Sequence, residues 1–420
     1  MKKISLRATA VAVAALATTS AFATDGYFPH GYGMKALGMG GASVAMTDNA
    51  FAGANNPATA AYAGNRYELG VNLFSPKRSA VTMGQRGPME TQSDSNYFLV
   101  PEFGYNRDVD AKTSFGVTVY GNGGMNTNYP LPIMGATNSA TTGVDLMQLI
   151  VAPTFAYKLN ETQSVGVSPL LVYQKFKAKG LDAFNQMSVP SENTGTDSGS
   201  DSSTGIGIRL GYFAKATDQI SFGASYSPKI NMSKLKGYAG LFANGGDFDI
   251  PANGTIGFAV QATPQVKIAA DYQQIKYGGV PAIANSSLNI LQCSSDPTNC
   301  LGASNGPGFG WSDVNVVKLG VEWVYSSTVT LRAGFNKSTN PVKSTEVSFN
   351  ILAPAVITKH YTFGGTYKLA KDSELTWAYM YAPKNSVTGE SLFAMMRSSS
   401  WQDTVRMSQQ SIGIQYGWKF

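Results

Sequence analysis

Residues 411–420 alternate without a break: Ile412, Ile414, Tyr416, Trp418 and Phe420 fall on one side, and Ser411, Gly413, Gln415, Gly417 and Lys419 on the other. Successive side chains of a β-strand point to opposite faces, so this segment has one apolar wall and one small or polar wall. An aromatic residue at the end of such a strand fits a bacterial outer-membrane barrel. The apolar wall would meet lipid and the polar wall a lumen.

The other end of the chain agrees. Lys2, Lys3 and Arg7 precede an apolar run over 8–16, followed by Ala21-Phe22-Ala23. A basic start, an apolar centre and an A-x-A site predict an export signal over residues 1–23, with the mature chain starting at Thr24. The apolar run is shorter than the roughly 20 residues that a membrane helix needs. Without the signal, 29 basic residues face 26 acidic ones, and the support for a nucleic-acid partner is lost. The chain has 45 Gly, 21 Tyr and 21 Phe but only 14% charged residues, with a mean hydropathy of -0.10. Such an average is expected when lipid-facing and lumen-facing residues alternate.

Fourteen strand-like segments recur after Asn65, over 66–75, 95–107, 112–121, 144–159, 162–177, 203–216, 219–232, 250–263, 266–277, 313–325, 328–338, 357–369, 373–383 and 405–420. Several alternate cleanly. Tyr67, Leu69, Val71 and Leu73 oppose Glu68, Gly70 and Asn72; Ile206, Ile208, Leu210 and Tyr212 oppose Gly207, Arg209 and Gly211. Each reaches the roughly 9–11 residues that a tilted membrane strand requires. The connections sort by length. Long ones (76–94, 122–143, 178–202, 233–249, 278–312, 339–356, 384–404) alternate with short ones (108–111, 160–161, 217–218, 264–265, 326–327, 370–372). Outer-membrane barrels have long external loops and short periplasmic turns, a sorting that a soluble sandwich has no reason to show. The expected fold is therefore an all-β membrane protein, a fourteen-stranded antiparallel transmembrane barrel over 66–420.

Residues 24–65 do not read as wall. They are rich in small residues, nearly uncharged and without sustained period-two alternation. Disordered tails are usually polar and charged, so a hatch folded into the lumen is the better expectation. Cys293 and Cys300 lie in a polar stretch of a long loop. In an exported chain this favours a local disulfide over two free thiols.

At this point the chain resembles the FadL-type outer-membrane transporters of long-chain fatty acids and other hydrophobic compounds. The resemblance spans the mature sequence. It rests on Gly38-Met-Gly-Gly-Ala-Ser-Val-Ala, Asn49-Ala-Phe-Ala-Gly-Ala-Asn-Asn-Pro-Ala, Val100-Pro-Glu-Phe-Gly-Tyr, Gly308-Phe-Gly-Trp-Ser-Asp and Leu331-Arg-Ala-Gly-Phe-Asn, in that order. It implies a plugged fourteen-stranded barrel with an external capture groove and an internal pocket. It also implies sideways exit through a gap at a kinked third strand, beside the hatch residues Asn56, Pro57 and Ala58. Gly121, Gly123 and Gly124 are candidates for that kink, unless they simply open an external loop, and Gly116 is the other candidate; glycine in a strand often marks a bulge or bend.

Two adjacent strands are apolar on both faces. Met147, Leu149, Val151 and Phe155 of one, with Leu170 and Val172 of the next, are expected to line a substrate pocket or to touch the hatch. Arg209, Lys318 and Arg332 are candidates for holding a carboxylate, a role suited to arginine, although inward Asp145, Asp271 or Glu322 would instead pair with them. Leu235, Tyr238, Leu241, Phe242, Leu392 and Phe393 are apolar residues in external loops. They suggest a capture surface or packing of the loops on one another.

An enzyme is the main rival, but only His30 and His360 offer an imidazole, and neither lies in a G-x-S-x-G context or a metal-ligand cluster. A surface adhesin is a third reading that the long loops permit. The expectation is a monomeric passive channel without cofactor or metal. Its partners would be a fatty acid or aromatic hydrocarbon, outer-membrane lipid and lipopolysaccharide.

Overall fold

The computed structural model describes residues 25–84, 87–189 and 194–420; the expected export signal over 1–23 lies outside them. The strands are β1 (Arg66–Gly84), β2 (Gly87–Gln92), β3 (Phe98–Asp108), β4 (Thr113–Asn126), β5 (Gly143–Lys158), β6 (Gln163–Lys179), β7 (Asp201–Lys215), β8 (Ile220–Ser227), β9 (Asn253–Gln261), β10 (Val266–Ile275), β11 (Val314–Val324), β12 (Val329–Ser338), β13 (Lys359–Ala370), β14 (Ser373–Glu390) and β15 (Gln402–Lys419). They form one antiparallel sheet that closes on itself, β15 pairing with β1 from Arg66↔Lys419 to Val81↔Thr404. β2 only folds back on the outer part of β1, from Ser79↔Gln92 to Gly84↔Gly87. The wall therefore has fourteen strands. Closure gives each wall strand a hydrogen-bonded neighbour on both sides, as a bilayer favours, because an unpaired backbone group there has no water to bond.

The alternation that opened the reading sets the faces. Ile412, Ile414, Tyr416 and Trp418 are exposed on the outer face, whereas Ser411 and Gln415 are buried inside. Leu69, Val71 and Leu73 of β1 and Ile206, Ile208, Leu210 and Tyr212 of β7 repeat the pattern. The terminal Phe420 ring lies against Tyr105 and Tyr67, with centroids 6.0 and 6.4 Å apart. These rings belong to the aromatic belt that a barrel sets at the membrane interface.

Several strand ends differ from expectation. β1 continues past Ser75 to Gly84, and β14 and β15 extend outward to Glu390 and from Gln402. Pro76 reads as a terminator because it has no N–H. The β3 ladder has already finished at Phe74↔Phe98, so Pro76 stands where β1 is briefly an edge and proline is tolerated. β8 stops at Ser227, before Pro228.

Residues 25–65 fill the lumen as the hatch. Its two short helices, α1 (Met34–Gly38) and α2 (Ala60–Ala63), and the coil between them are almost wholly buried. Small lumenal residues make room for it. A side chain at Gly104 would meet Ala50 of the hatch, one at Gly166 would meet Pro57, one at Gly320 would meet Met39 and one at Gly413 would meet Met34. Buried charge fastens it: Lys35 Nζ stands 2.7 Å from Glu374, 3.7 Å from Asp48 and 4.0 Å from Glu68, and donates to the Asp48 carbonyl at 2.7 Å. Removing one partner from such a cluster strands the others. Lys35→Met is expected to destabilise the folded barrel by about 3–5 kcal/mol, read as the urea midpoint in detergent. A loss below about 1 kcal/mol, the level of an exposed pair, would contradict this account.

Candidate functional site

The long loops gather over one mouth of the barrel. Between the β1–β2 ribbon, the loop around 131–135 and the segment 393–403 lies an open groove of about 840 Å³. Met83, Met89, Leu131, Ile133, Phe393 and Trp401 supply much of its lining. Asp182, at the foot of the neighbouring loop, accepts from the N–H groups of Thr137 and Asn138 at 2.9 and 3.1 Å and from the Thr137 hydroxyl at 3.0 Å. Partial burial pushes its carboxyl up, but these donors outweigh it and hold the group below the usual carboxylate range.

Of the two expectations for the apolar loop residues, a capture surface or packing of the loops on one another, most residues follow the second. Leu235, Tyr238, Phe242 and Leu392 are fully buried, and Leu241 and Phe393 half-buried. The Tyr238 hydroxyl donates to the Gly199 carbonyl at 2.6 Å and accepts from the Ala178 N–H at 2.9 Å. Its ring and that of Phe242 each pack 4.7 Å from Phe176. These side chains roof the lumen; of the six, only Phe393 lines the outer groove. Below the roof is a second, almost purely apolar pocket lined by Met134, Val144, Phe176, Leu181, Phe184, Leu241, Phe242, Phe309 and Phe349 among others. Its volume is about 40 Å³, against ~150 Å³ for a dry cavity known to admit benzene. The pocket is collapsed and must widen to take cargo. Phe184 stands between the two spaces, its ring 5.9 Å from Phe393 of the groove and 5.6 Å from Phe349 of the pocket.

Cys293 and Cys300 are joined by a disulfide, and Leu301 beside it lines the pocket. So short a closed loop constrains few residues beyond its own. Reduction is expected to speed amide exchange over 287–301 while leaving the melting temperature of the barrel unchanged. A lowered barrel melting temperature would assign the bond a global role.

The faces of β5 correct the sequence reading. Leu149, Val151 and Phe155 lie on the outer face, Phe155 packing 5.2 Å from Phe115, and Met147 shares their phase although it is buried; Leu146, Gln148, Ile150, Ala152 and Thr154 point inward. A strand apolar on both sides does not announce its inner face. Here the polar partners decide it: Asn122 donates to Gln148 at 3.0 Å, Gln148 to Gln174 at 2.7 Å, and Gln174 to Ser203 at 3.0 Å and the Phe248 carbonyl at 3.2 Å. A buried amide must be hydrogen-bonded, and this chain exists only inside. Leu170 and Val172 of β6 are inward and buried.

The wall itself is incomplete beside β4, the third wall strand. The β3–β4 ladder runs from Asp108↔Ser114 to Phe103↔Val119 and stops, whereas β4 goes on pairing with β5 as far as Asn126↔Asp145. A bulge falls between Gly121 and Gly123. It adds a residue, flips the alternation and brings both Asn122 and Met125 inside. Gly123, at φ +152, leaves no space for a side chain against Tyr27 of the hatch. Gly116 sits in regular ladder and makes no bend. Pro101 of β3, just beyond the last pair, has no N–H to extend the ladder.

Asn56, Pro57 and Ala58 do not stand beside this opening. Asn56 caps the turn, accepting from the Ala58 N–H at 3.1 Å, and donates to the carbonyls of Val44 and Tyr212 at 2.7 and 2.9 Å. Pro57 and Asn56 press on Gly166 of β6 and Gly211 of β7. The hatch residues facing the opening are Tyr27 and Tyr32, the latter with its ring 4.5 Å from Tyr120 and its hydroxyl donating to Asn122 at 3.3 Å.

The three candidate cations are inward and buried but already occupied. Arg209 donates to the carbonyls of Gly53 and Ala54, and Lys318 to that of His30 at 2.8 Å. Arg332 grips Glu322 through Nε at 2.8 Å and Nη2 at 2.7 Å. They anchor the hatch and brace the wall. Asp145 is exposed on the outer face, and Asp271 accepts the N–H groups of Ser43 and Val44 at 2.7 and 3.0 Å. His30 and His360 stack in the buried lumen 5.5 Å apart. Among the described residues no group of three metal-binding side chains occurs.

The fold has known counterparts. The structure is similar to the Pseudomonas putida toluene transporter TodX (22% identity, TM-score 0.68, covering 93% of this chain and 99% of that one). It is also similar to a Pseudomonas aeruginosa FadL homologue (14%, TM-score 0.70, 94% and 100%) and to the Ralstonia pickettii toluene transporter TbuX (19%, TM-score 0.64, 93% and 99%). At such identities these likenesses speak for the fold alone. No curated protein matches the chain in sequence. The profile of the outer membrane protein transport protein family (OMPP1/FadL/TodX) matches residues 10–420, and the chain belongs to that family of the Gram-negative outer membrane.

Proposed function

We propose that the chain carries hydrophobic compounds, long-chain fatty acids or aromatic hydrocarbons, passively from outside the cell into the outer membrane. The observation that carries this reading is the sequence of three features along one side of the barrel: an open groove, a collapsed apolar pocket behind Phe184, and a wall that loses its ladder above Val119. Cargo is caught in the groove and passes Phe184 into the pocket. It then descends past inward apolar residues such as Leu146, Ile150, Leu170 and Val172 to leave sideways between β3 and β4. Apolar cargo gains roughly 25 cal/mol for each Å² kept from water, so release into lipid is favoured over release through an aqueous pore. Lipopolysaccharide hinders the direct path through the outer leaflet, and a protein route around it is useful. The hatch closes the straight path to the periplasm, and Tyr27 and Tyr32 are its gating face.

The test is uptake of labelled toluene and labelled dodecanoate by cells lacking the protein, complemented or not with this chain. Restored uptake of either probe supports the reading. Equal uptake with and without the chain, at matched surface levels, overturns it. Lipid hydrolysis by the purified barrel would return the enzyme to consideration.

A further inference from the structure

Toward the long loops, the outer surface of the wall turns basic over five neighbouring strands, from β12 through β13, β14 and β15 to β1. Phe335 of β12 pairs with Tyr361 of β13, their rings 5.3 Å apart, and Tyr361 pairs with Tyr381 of β14. These rings form an outer aromatic belt. One outward position nearer the long loops, Lys337 stands directly opposite Lys359. Lys384 follows in the bulge of β14 between Ala382 and Asn385, and beyond it Ser408 of β15 pairs with Lys77 of β1. All four lysines are exposed. With strands ~4.8 Å apart, the row spans about 19 Å of wall.

The row is poor in counter-charge. Side chains directly opposite in a ladder have Cβ atoms about 4.5–5.5 Å apart, and like charges so placed are destabilising. No ion pair formed by the described residues includes Lys77, Lys337, Lys359 or Lys384. Lys77 rests over the Tyr97 ring, 4.9 Å from its centroid. Glu90 feels Lys384 but is already bound by Arg406 and by the Ser79 hydroxyl, each at 2.7 Å. Elsewhere at the same mouth the cations do find partners: Lys229 meets Asp249, and Lys276 meets Asp313, both at 3.0 Å.

We propose that this row is a docking surface for lipopolysaccharide, gripping the phosphates of its lipid A part while the acyl chains lie on the apolar wall below. The site lies on the lipid-facing surface, outside the cargo route, and stands whether or not the cargo reading holds. Charge complementarity selects the occupant. A phosphate seated between Lys337 and Lys359 turns their repulsion into two charge-assisted hydrogen bonds, a role in which lysine serves as a point charge with three donors. Lys384 and Lys77 flank Ser408 two strands further on, so a head group with phosphates at both ends of a disaccharide meets both pairs. The height fits as well. The lysines lie on the long-loop side of Tyr361 and Tyr381, and on the other side Phe363, Trp377, Ile412 and Ile414 offer exposed apolar surface to acyl chains.

The experiment titrates the full chain in dodecyl maltoside micelles with bisphosphoryl lipid A, with the same lipid A stripped of both phosphates, and with phosphatidylglycerol. Native mass spectrometry counts the lipid bound. The unaltered barrel is expected to hold bisphosphoryl lipid A at least about tenfold more tightly than either other lipid, the step that one good charge-assisted contact supplies. Lys337→Gln combined with Lys359→Gln should weaken it by about tenfold and move the stripped lipid by less than about twofold. Lys112→Gln combined with Lys215→Gln is the control, because it removes the same charge from the rim of short turns, where Lys215 rests over Tyr62. It should move every affinity by less than about twofold. Stability gives a second readout through heat-modifiable mobility in gels. Without lipid, Lys359→Gln relieves the repulsion and should unfold at a higher temperature than the parent; saturating lipid A should reverse that order. An equal loss in the rim control, equal affinity for phosphatidylglycerol, or no loss in the Lys337 and Lys359 double variant would overturn the site. A parent that stays the less stable of the two with lipid A bound would overturn it as well.

Discussion

Gly121→Trp is expected to cut uptake of labelled toluene or dodecanoate by at least about tenfold, the factor for a barrier raised by ~1.4 kcal/mol. Gly121 pairs with Leu149 on the outer face of β4, at the start of the bulge. Continuing the register of the last β3–β4 pair, Phe103↔Val119, would set it opposite Pro101. A Trp there lies across the gap from the lipid side. Its side chain buries some 150–250 Å² when packed, so swinging even half of it off the wall costs about 2–3 kcal/mol at ~25 cal/mol per Å². Val117→Trp is the control, since Val117 faces outward two pairs lower, within intact ladder to both β3 and β5. It should fold and transport as the parent does. Deleting Asn122, the extra residue of the bulge, restores the alternation and should block uptake in the same way. Undiminished uptake in Gly121→Trp, with the barrel folded, would rule out exit between β3 and β4.

Most of the wall was legible in the sequence because period-two alternation and loop length are local properties, written in consecutive residues. Ile412 to Trp418 and Ile206 to Tyr212 read correctly for that reason. The hatch was legible as a contrast, a small-residue stretch that refused the period. What failed were questions that only the closed barrel answers. Both faces of β5 are apolar, and the inner one is fixed by Gln148 meeting Gln174 and Asn122, which come from neighbouring strands. The loop aromatics Tyr238 and Phe242 suited either a capture surface or packing between loops, and only the closed fold shows them turned inward onto Phe176. Arg332 meets Glu322, one of the inward carboxylates expected to compete for it, but Arg209 and Lys318 bond to the carbonyls of Ala54 and His30 in the hatch, and a carbonyl has no residue type. The outer part of β1 was missed because Pro76 appeared to end the strand. A signal was present: Phe74, Pro76, Arg78 and Ala80 hold the inner phase of the strand, and all four are buried.

Phe184→Ala should have the opposite sign from the wall block and accelerate uptake. The Phe184 ring makes an edge contact with Phe349 on the pocket side and a tilted contact with Phe393 on the groove side. Aromatic pairs of this kind contribute about 0.5–1.5 kcal/mol each beyond their buried area. Opening the passage in the parent breaks both, whereas the alanine variant has neither to break. A barrier lower by about 1–2 kcal/mol corresponds to roughly a 5- to 30-fold faster rate, provided passage at Phe184 limits uptake. The alanine also enlarges the apolar pocket from its present 40 Å³, so bulkier hydrocarbons should gain more than toluene does. Phe184→Trp fills the same space and should slow uptake of every probe. Combining Phe184→Ala with Gly121→Trp orders the two steps. If cargo passes Phe184 first and leaves by the wall, the double variant is as slow as Gly121→Trp alone but still fills the pocket, and cargo retained on the purified protein should rise. A double variant that transports as fast as Phe184→Ala would mean that the groove, the pocket and the β3–β4 opening do not lie on one path.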